Sequence, residues 1–135
     1  MKNILYSIIC FVIITSCNSK TELSKAALQG NWTCVDYKME GGAADNQLRE
    51  VTREMSMKTQ YAFTGDTLIM KNDYFTLGFS CNFKFDEKQI ICSPIGFNDV
   101  TPRTYAIQEY TGDVLVLVEK NEGIVSTMFL QRPKE

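Results

Sequence analysis

Between residues 74 and 85 the chain alternates strictly: Phe75, Leu77, Phe79, Cys81, Phe83 and Phe85 are separated by Thr76, Gly78, Ser80, Asn82 and Lys84. A period of two over that length predicts a strand with one buried and one wet face. The same reading places strands at 31–39, 55–64, 67–71, 88–93, 103–110, 113–119 and 123–131, with short polar or glycine-bearing links. Eight strands joined this way predict an all-β protein, an antiparallel eight-stranded up-and-down barrel. Phe63-Thr64-Gly65-Asp66 and Tyr110-Thr111-Gly112-Asp113 repeat one device, a Gly-Asp turn between an aromatic-ending strand and an apolar one.

Two stretches break the alternation. Residues 24–28 have the composition of one helical turn before Gly30. Residues 41–54 open on Gly41-Gly42 and then set Leu48, Val51 and Met55 at helical spacing among charged residues. They predict a short amphipathic helix or a surface loop after the first strand. Such a helix could cover one end of a barrel.

The N-terminus has a different character. Lys2 precedes an apolar run over residues 4–14, too short to span a bilayer, and Ile14-Thr15-Ser16-Cys17 follows. This layout resembles a bacterial lipobox. It implies a signal peptide over residues 1–16, acylation of Cys17, a tether over 17–24 and a folded domain over 25–135. Membrane contact would run through acylated Cys17 (palmitate-type anchoring), in the bacterial cell envelope. Asn18 stands where aspartate would signal inner-membrane retention, which favours the outer membrane.

The whole chain has 14 basic and 16 acidic residues. Lys2 leaves with the leader, so 13 against 16 remain, a net charge near −3. A weakly acidic balance argues against nucleic acid as a partner. Histidine is absent. That removes the commonest general base and zinc ligand and every triad built on histidine. No catalytic residue, cofactor or metal site is assigned, no enzymatic activity is expected, and a monomer is expected.

Three cysteines remain after Cys10 and Cys17. If Phe85 faces Lys88 across the hairpin, then Phe83 faces Ile90 and Cys81 faces Cys92, close enough for a disulfide. Pairing of Cys34 with Cys81 or Cys92, or three free thiols, are the alternatives. Cys34, two residues from Trp32, shares its face and reads as a small buried residue.

Leu28-Gln29-Gly30-Asn31-Trp32, with Phe129-Leu130-Gln131-Arg132 near the C-terminus, resembles the lipocalin and wider calycin group, closest to small lipocalin-like lipoproteins of bacteria. The resemblance implies that Gly30, Trp32 and Arg132 form a structural closure where the first and last strands meet. It also implies that the interior, with Cys34, Phe63, Phe75, Leu77, Phe79 and Phe83 as candidate lining, holds a small apolar ligand or lipid. A protein-binding envelope module acting through surface loops, similar to membrane-bound lysozyme inhibitors, is the alternative.

Overall fold

The computed structural model describes residues 22–134. Cys17, the signal peptide and most of the tether lie outside the described residues. The elements run α1 (Lys25–Leu28), β1 (Gly30–Gly41), α2 (Asn46–Met57), β2 (Thr59–Thr64), β3 (Thr67–Asn72), β4 (Phe75–Asp86), β5 (Gln89–Pro94), β6 (Arg103–Tyr110), β7 (Val114–Asn121) and β8 (Ile124–Gln131). The strands pair in chain order, every neighbour antiparallel, and β1 pairs with β8 to close the barrel.

Ser24 starts α1 by accepting from the Ala27 amide at 3.1 Å, which satisfies one of the unpaired donors of the first turn. Leu23 packs against the core and Leu28 is fully buried, so the chain is already part of the domain before β1 begins. Gly65 and Gly112 hold positive φ at the β2–β3 and β6–β7 turns, at 60° and 96°, as the repeated Gly-Asp device predicts.

α2 is a true helix. Asp45 caps it by accepting from the Leu48 amide at 2.7 Å. It extends to Met57, so residues 55–57, expected at the start of a strand, belong to the helix and Lys58 caps it. No residue of α2 is buried. The helix is held to β1 by polar contacts: Arg49 donates to the Met39 and Gly41 carbonyls at 2.6 and 2.7 Å, and Arg53 donates to Asp36 at 3.2 Å.

β1 contains a bulge. Its register against β8 slips between Cys34 and Asp36, so that Val35 is the extra residue. The inward positions therefore change parity, from Trp32 and Cys34 to Tyr37 and Met39.

The β4–β5 hairpin corrects the expected register. Asp86 pairs with Gln89 around a two-residue Glu87-Lys88 loop, with Glu87 at φ 51°. Cys81 consequently faces Pro94, and Cys92 faces Phe83. The expected Cys81–Cys92 disulfide is not formed: Cys34, Cys81 and Cys92 are all buried free thiols. Cys81 and Cys92 are diagonal neighbours, and diagonal positions lie farther apart than directly opposed ones.

Candidate functional site

The two ends of the barrel are built differently. At one end α1 meets the β2–β3 and β6–β7 turns. Trp32 is fully buried there and donates from Nε1 to the Leu28 carbonyl at 2.9 Å. The Arg132 guanidinium stacks over the indole, 4.2 Å from its centroid. It also donates to the carbonyls of Gly112 at 2.9 Å, Gln29 at 3.0 Å and Ala27 at 2.7 Å. The Tyr110 hydroxyl donates to the Ala27 carbonyl as well, and Lys25 pairs with Asp66 in the β2–β3 turn. One cation thus ties the end of β8 to the β6–β7 turn and to the residues that lead into β1.

Gly30 makes this approach possible. Its φ is 108°, and a Cβ at that position would lie 2.9 Å from Arg132 Nη1. A side chain here would be strained by backbone and neighbour alike.

Above this closure the barrel is filled by its own side chains. Phe63 and Phe83 pack edge to face with centroids 5.1 Å apart, and they are 1 and 2% exposed. Cys34 belongs to the same core cluster and donates to the Asp36 carbonyl at 3.3 Å. Burial pushes the Cys34 thiol up to about 11. Cys34, Phe63 and Phe83, expected as cavity lining, are core residues of the filled half. The side chains of Phe75 and Leu77 lie outside what the structure describes.

The opposite end carries the β3–β4 turn, the 95–102 link between β5 and β6, and the β7–β8 turn. Between β3, β4, β5 and β6 it opens into a cavity of about 340 Å³. Met70, Phe79, Pro94 and Val100 form apolar walls, Cys81 and Cys92 bring thiols, and Arg103 and Tyr105 supply the polar groups. Phe79 shares the parity of Cys81 and Phe83 but is 42% exposed, because the inward face of β4 runs out of partners at the mouth. Arg103 pairs in register with Cys92, and its Nε lies 3.6 Å from a carboxylate oxygen of Glu119.

The electrostatics of this corner are uneven. The Cys92 thiol, set to hydrogen-bond to Cys81, holds Cys81 below its usual range against the opposing effect of burial, and Arg103 acts in the same sense. The same contact, with burial, pushes Cys92 up. Burial and the Glu119 charge push Tyr105 up to about 12, against the pull of Arg103. Cys81 also donates to the Leu68 carbonyl at 3.7 Å.

Sequence reasoning did not single out Arg103 or Tyr105. The available signal was parity: Arg103 shares the inward alternation of Tyr105 and Ile107 at the start of β6.

No protein-family model matches the chain, and no curated protein matches it. Solved structures do. A lipocalin-like protein from Bacteroides uniformis superposes with a TM-score of 0.55 at 15% identity, over 79% of this chain and 99% of that one. An uncharacterized protein from Bacteroides eggerthii gives 0.53 at 15% identity, over 77% and 98%. At that identity the likeness concerns the fold. With the closed eight-stranded meander and the Trp32–Arg132 closure, it establishes that this chain folds as a lipocalin-like barrel.

Proposed function

We propose that the protein is a lipid-anchored, lipocalin-like binding protein of the bacterial cell envelope that holds a small apolar molecule at the mouth of its barrel. The cavity carries this reading. About 340 Å³ lies at the lower end of the roughly 300–1,000 Å³ usual for small-molecule sites, and apolar walls with a few convergent polar groups are their usual make-up. Arg103 and Tyr105 offer hydrogen-bond donors to a polar end of such a ligand. The protein acts by binding; catalysis has no part in the proposal.

The direction of the chain supports the anchoring half. Leu23 and Ser24 enter the domain beside α1, at the closed end. A short tether from Cys17 would bring that end toward the lipid and leave the mouth facing away. Acylation with two or three chains would make this stable, since each buried CH₂ contributes about 0.8 kcal/mol. Asn18 favours the outer membrane. Cys17→Ser should shift the protein to the soluble fraction.

The ligand reading is tested by purifying the protein from its native membrane and analysing extracts by mass spectrometry. A single class of small apolar molecule, lost when Val100→Arg blocks the mouth, is expected. An empty protein, or a bound molecule retained by V100R, would contradict it. The alternative, recognition of another protein, draws on Ile95, Phe97 and Val100 in the 95–102 link. Phe97 is 59% exposed. Co-purification of a partner lost in Phe97→Ser, with no extractable small molecule, would favour that alternative.

A further inference from the structure

Three sulfur-bearing residues line the mouth cavity. Cys81 sits at the centre, on β4. Met70 on β3 is one of its diagonal neighbours, because Cys81 pairs with Leu68 and Phe79 pairs with Met70. Cys92 on β5 is the other, because Cys81 pairs with Pro94 and Phe83 pairs with Cys92. The pleat puts all three on the same side of the sheet, and all three line the same cavity.

We infer that Met70, Cys81 and Cys92 form a binding site for a soft monovalent cation, with Cu(I) as the metal it fits best. Thiolate and thioether donors select soft ions, and Cu(I) is the soft ion their combination favours among first-row metals. Zinc fits poorly. A structural zinc site closes with four nitrogen or sulfur donors, and among the described residues no group of three or more His, Cys, Asp or Glu could hold a metal. Two thiols and a thioether suit a low-coordinate ion instead.

The surroundings suit the product. Cu(I) displaces both thiol protons, which pass to solvent, and the resulting bis-thiolate complex carries one negative charge. No electron is exchanged. Arg103, paired in register with Cys92 and lining the same cavity, supplies a positive charge that it shares with Glu119, 3.6 Å from its Nε. Phe79, Val100 and Pro94 surround the sulfurs with apolar surface, which limits the access of water. Cys34 is excluded from the site, since it does not line this cavity. This assignment goes beyond the apolar-ligand reading and does not depend on it.

The test uses the purified full chain, fully reduced and kept anaerobic, with Cu(I) supplied as its complex with a colorimetric chelator. One equivalent of Cu(I) should transfer per chain, and X-ray absorption should show a shell of sulfur alone. Loss of either charged thiolate ligand should exceed the about 10–100-fold cost of losing a supporting group, so Cys81→Ser and Cys92→Ser should each weaken binding by about 100-fold or more, and loss of the neutral thioether should cost less. Met70→Leu should cost about 10-fold, and Cys34→Ser should leave the affinity unchanged. Circular dichroism of each variant separates loss of the site from loss of the fold. Should Cys81→Ser unfold the chain, the decision rests on Met70→Leu and on the absorption spectrum of the unaltered protein. Failure to take Cu(I) from the chelator, retention by a folded Cys81→Ser/Cys92→Ser double variant, or loss through Cys34→Ser would each overturn the assignment. Binding of an apolar fluorophore, measured on the same metal-free samples, reports on the ligand reading separately.

Discussion

The closed end and the mouth are made from the same eight strands, yet they solve opposite problems. At the closed end every strong polar group is matched: the Arg132 guanidinium serves three carbonyls, and the Trp32 indole nitrogen serves a fourth. At the mouth, apolar side chains such as Phe79 and Val100 stand partly in water over the buried thiols of Cys81 and Cys92. A buried polar group contributes when it is matched and costs free energy when it is not. Stability is therefore concentrated at the closed end, and the loosely packed half is the one that the proposed ligand would enter.

Substitutions at the closed end should break the fold while sparing binding in whatever remains folded. The largest effect is expected from Trp32→Ala, which removes a fully buried indole and leaves a cavity. It should cost about 3–5 kcal/mol in denaturant unfolding. Arg132→Ala comes next. It removes the stacked cation and strands the carbonyls of Gly112 and Gln29, while Tyr110 still donates to Ala27, for a loss of about 2–3 kcal/mol. Arg132→Lys should recover part of this, because one ammonium cannot reproduce the fork geometry.

A pH scan probes the filled half. The Cys34 thiol has an ordinary value of 9.0 and is raised to about 11 in the fold by burial. Between those values the unfolded chain has released a proton that the folded chain still holds. The contribution of Cys34 is thus fully present below about pH 9 and lost as pH rises through about 11, by up to ~2 kcal/mol. Unfolding measured from pH 8 to 11 should show this decline, and Cys34→Ala should make it shallower, leaving the part that the raised Cys92 and Tyr105 contribute. Alkylation of Cys34 in the folded protein should be slow at neutral pH for the same reason.

The smallest stability change belongs to the mouth. Phe79→Ala removes a side chain that is already 42% exposed, and it should shift unfolding by no more than about 1 kcal/mol. Equal destabilisation by Phe79→Ala and Trp32→Ala would erase the distinction between the two ends.

The strands were legible because alternation over a closed barrel is dictated by the pleat, and β4 states it plainly. The closure was legible because Gly30, Trp32 and Arg132 lie at chain ends that an antiparallel barrel brings together. Register was not. Sliding β5 by two residues along β4 leaves every side chain on its original face. The apolar pattern is therefore satisfied equally by Cys81 opposite Cys92 and by Cys81 opposite Pro94. Only the turn decides, and Glu87 at positive φ is an unusual residue to centre a two-residue loop. The bulge at Val35 was hidden for a related reason: one inserted residue shows only as a change of phase, from Trp32 and Cys34 to Tyr37 and Met39. The site was the least legible part. Four phenylalanines on one face read as one surface, while the structure assigns Phe83 to the core and Phe79 to the rim.

Titration of an apolar, environment-sensitive fluorophore into the unaltered protein, Arg132→Ala and Phe79→Glu tests the central claim most directly. The account predicts a single saturable site in the unaltered protein, the same affinity in the folded fraction of R132A, and at least about 10-fold weaker binding in F79E at unchanged stability. Binding that persists in F79E, or that falls with R132A while its fold is intact, would show that the mouth is not the binding site.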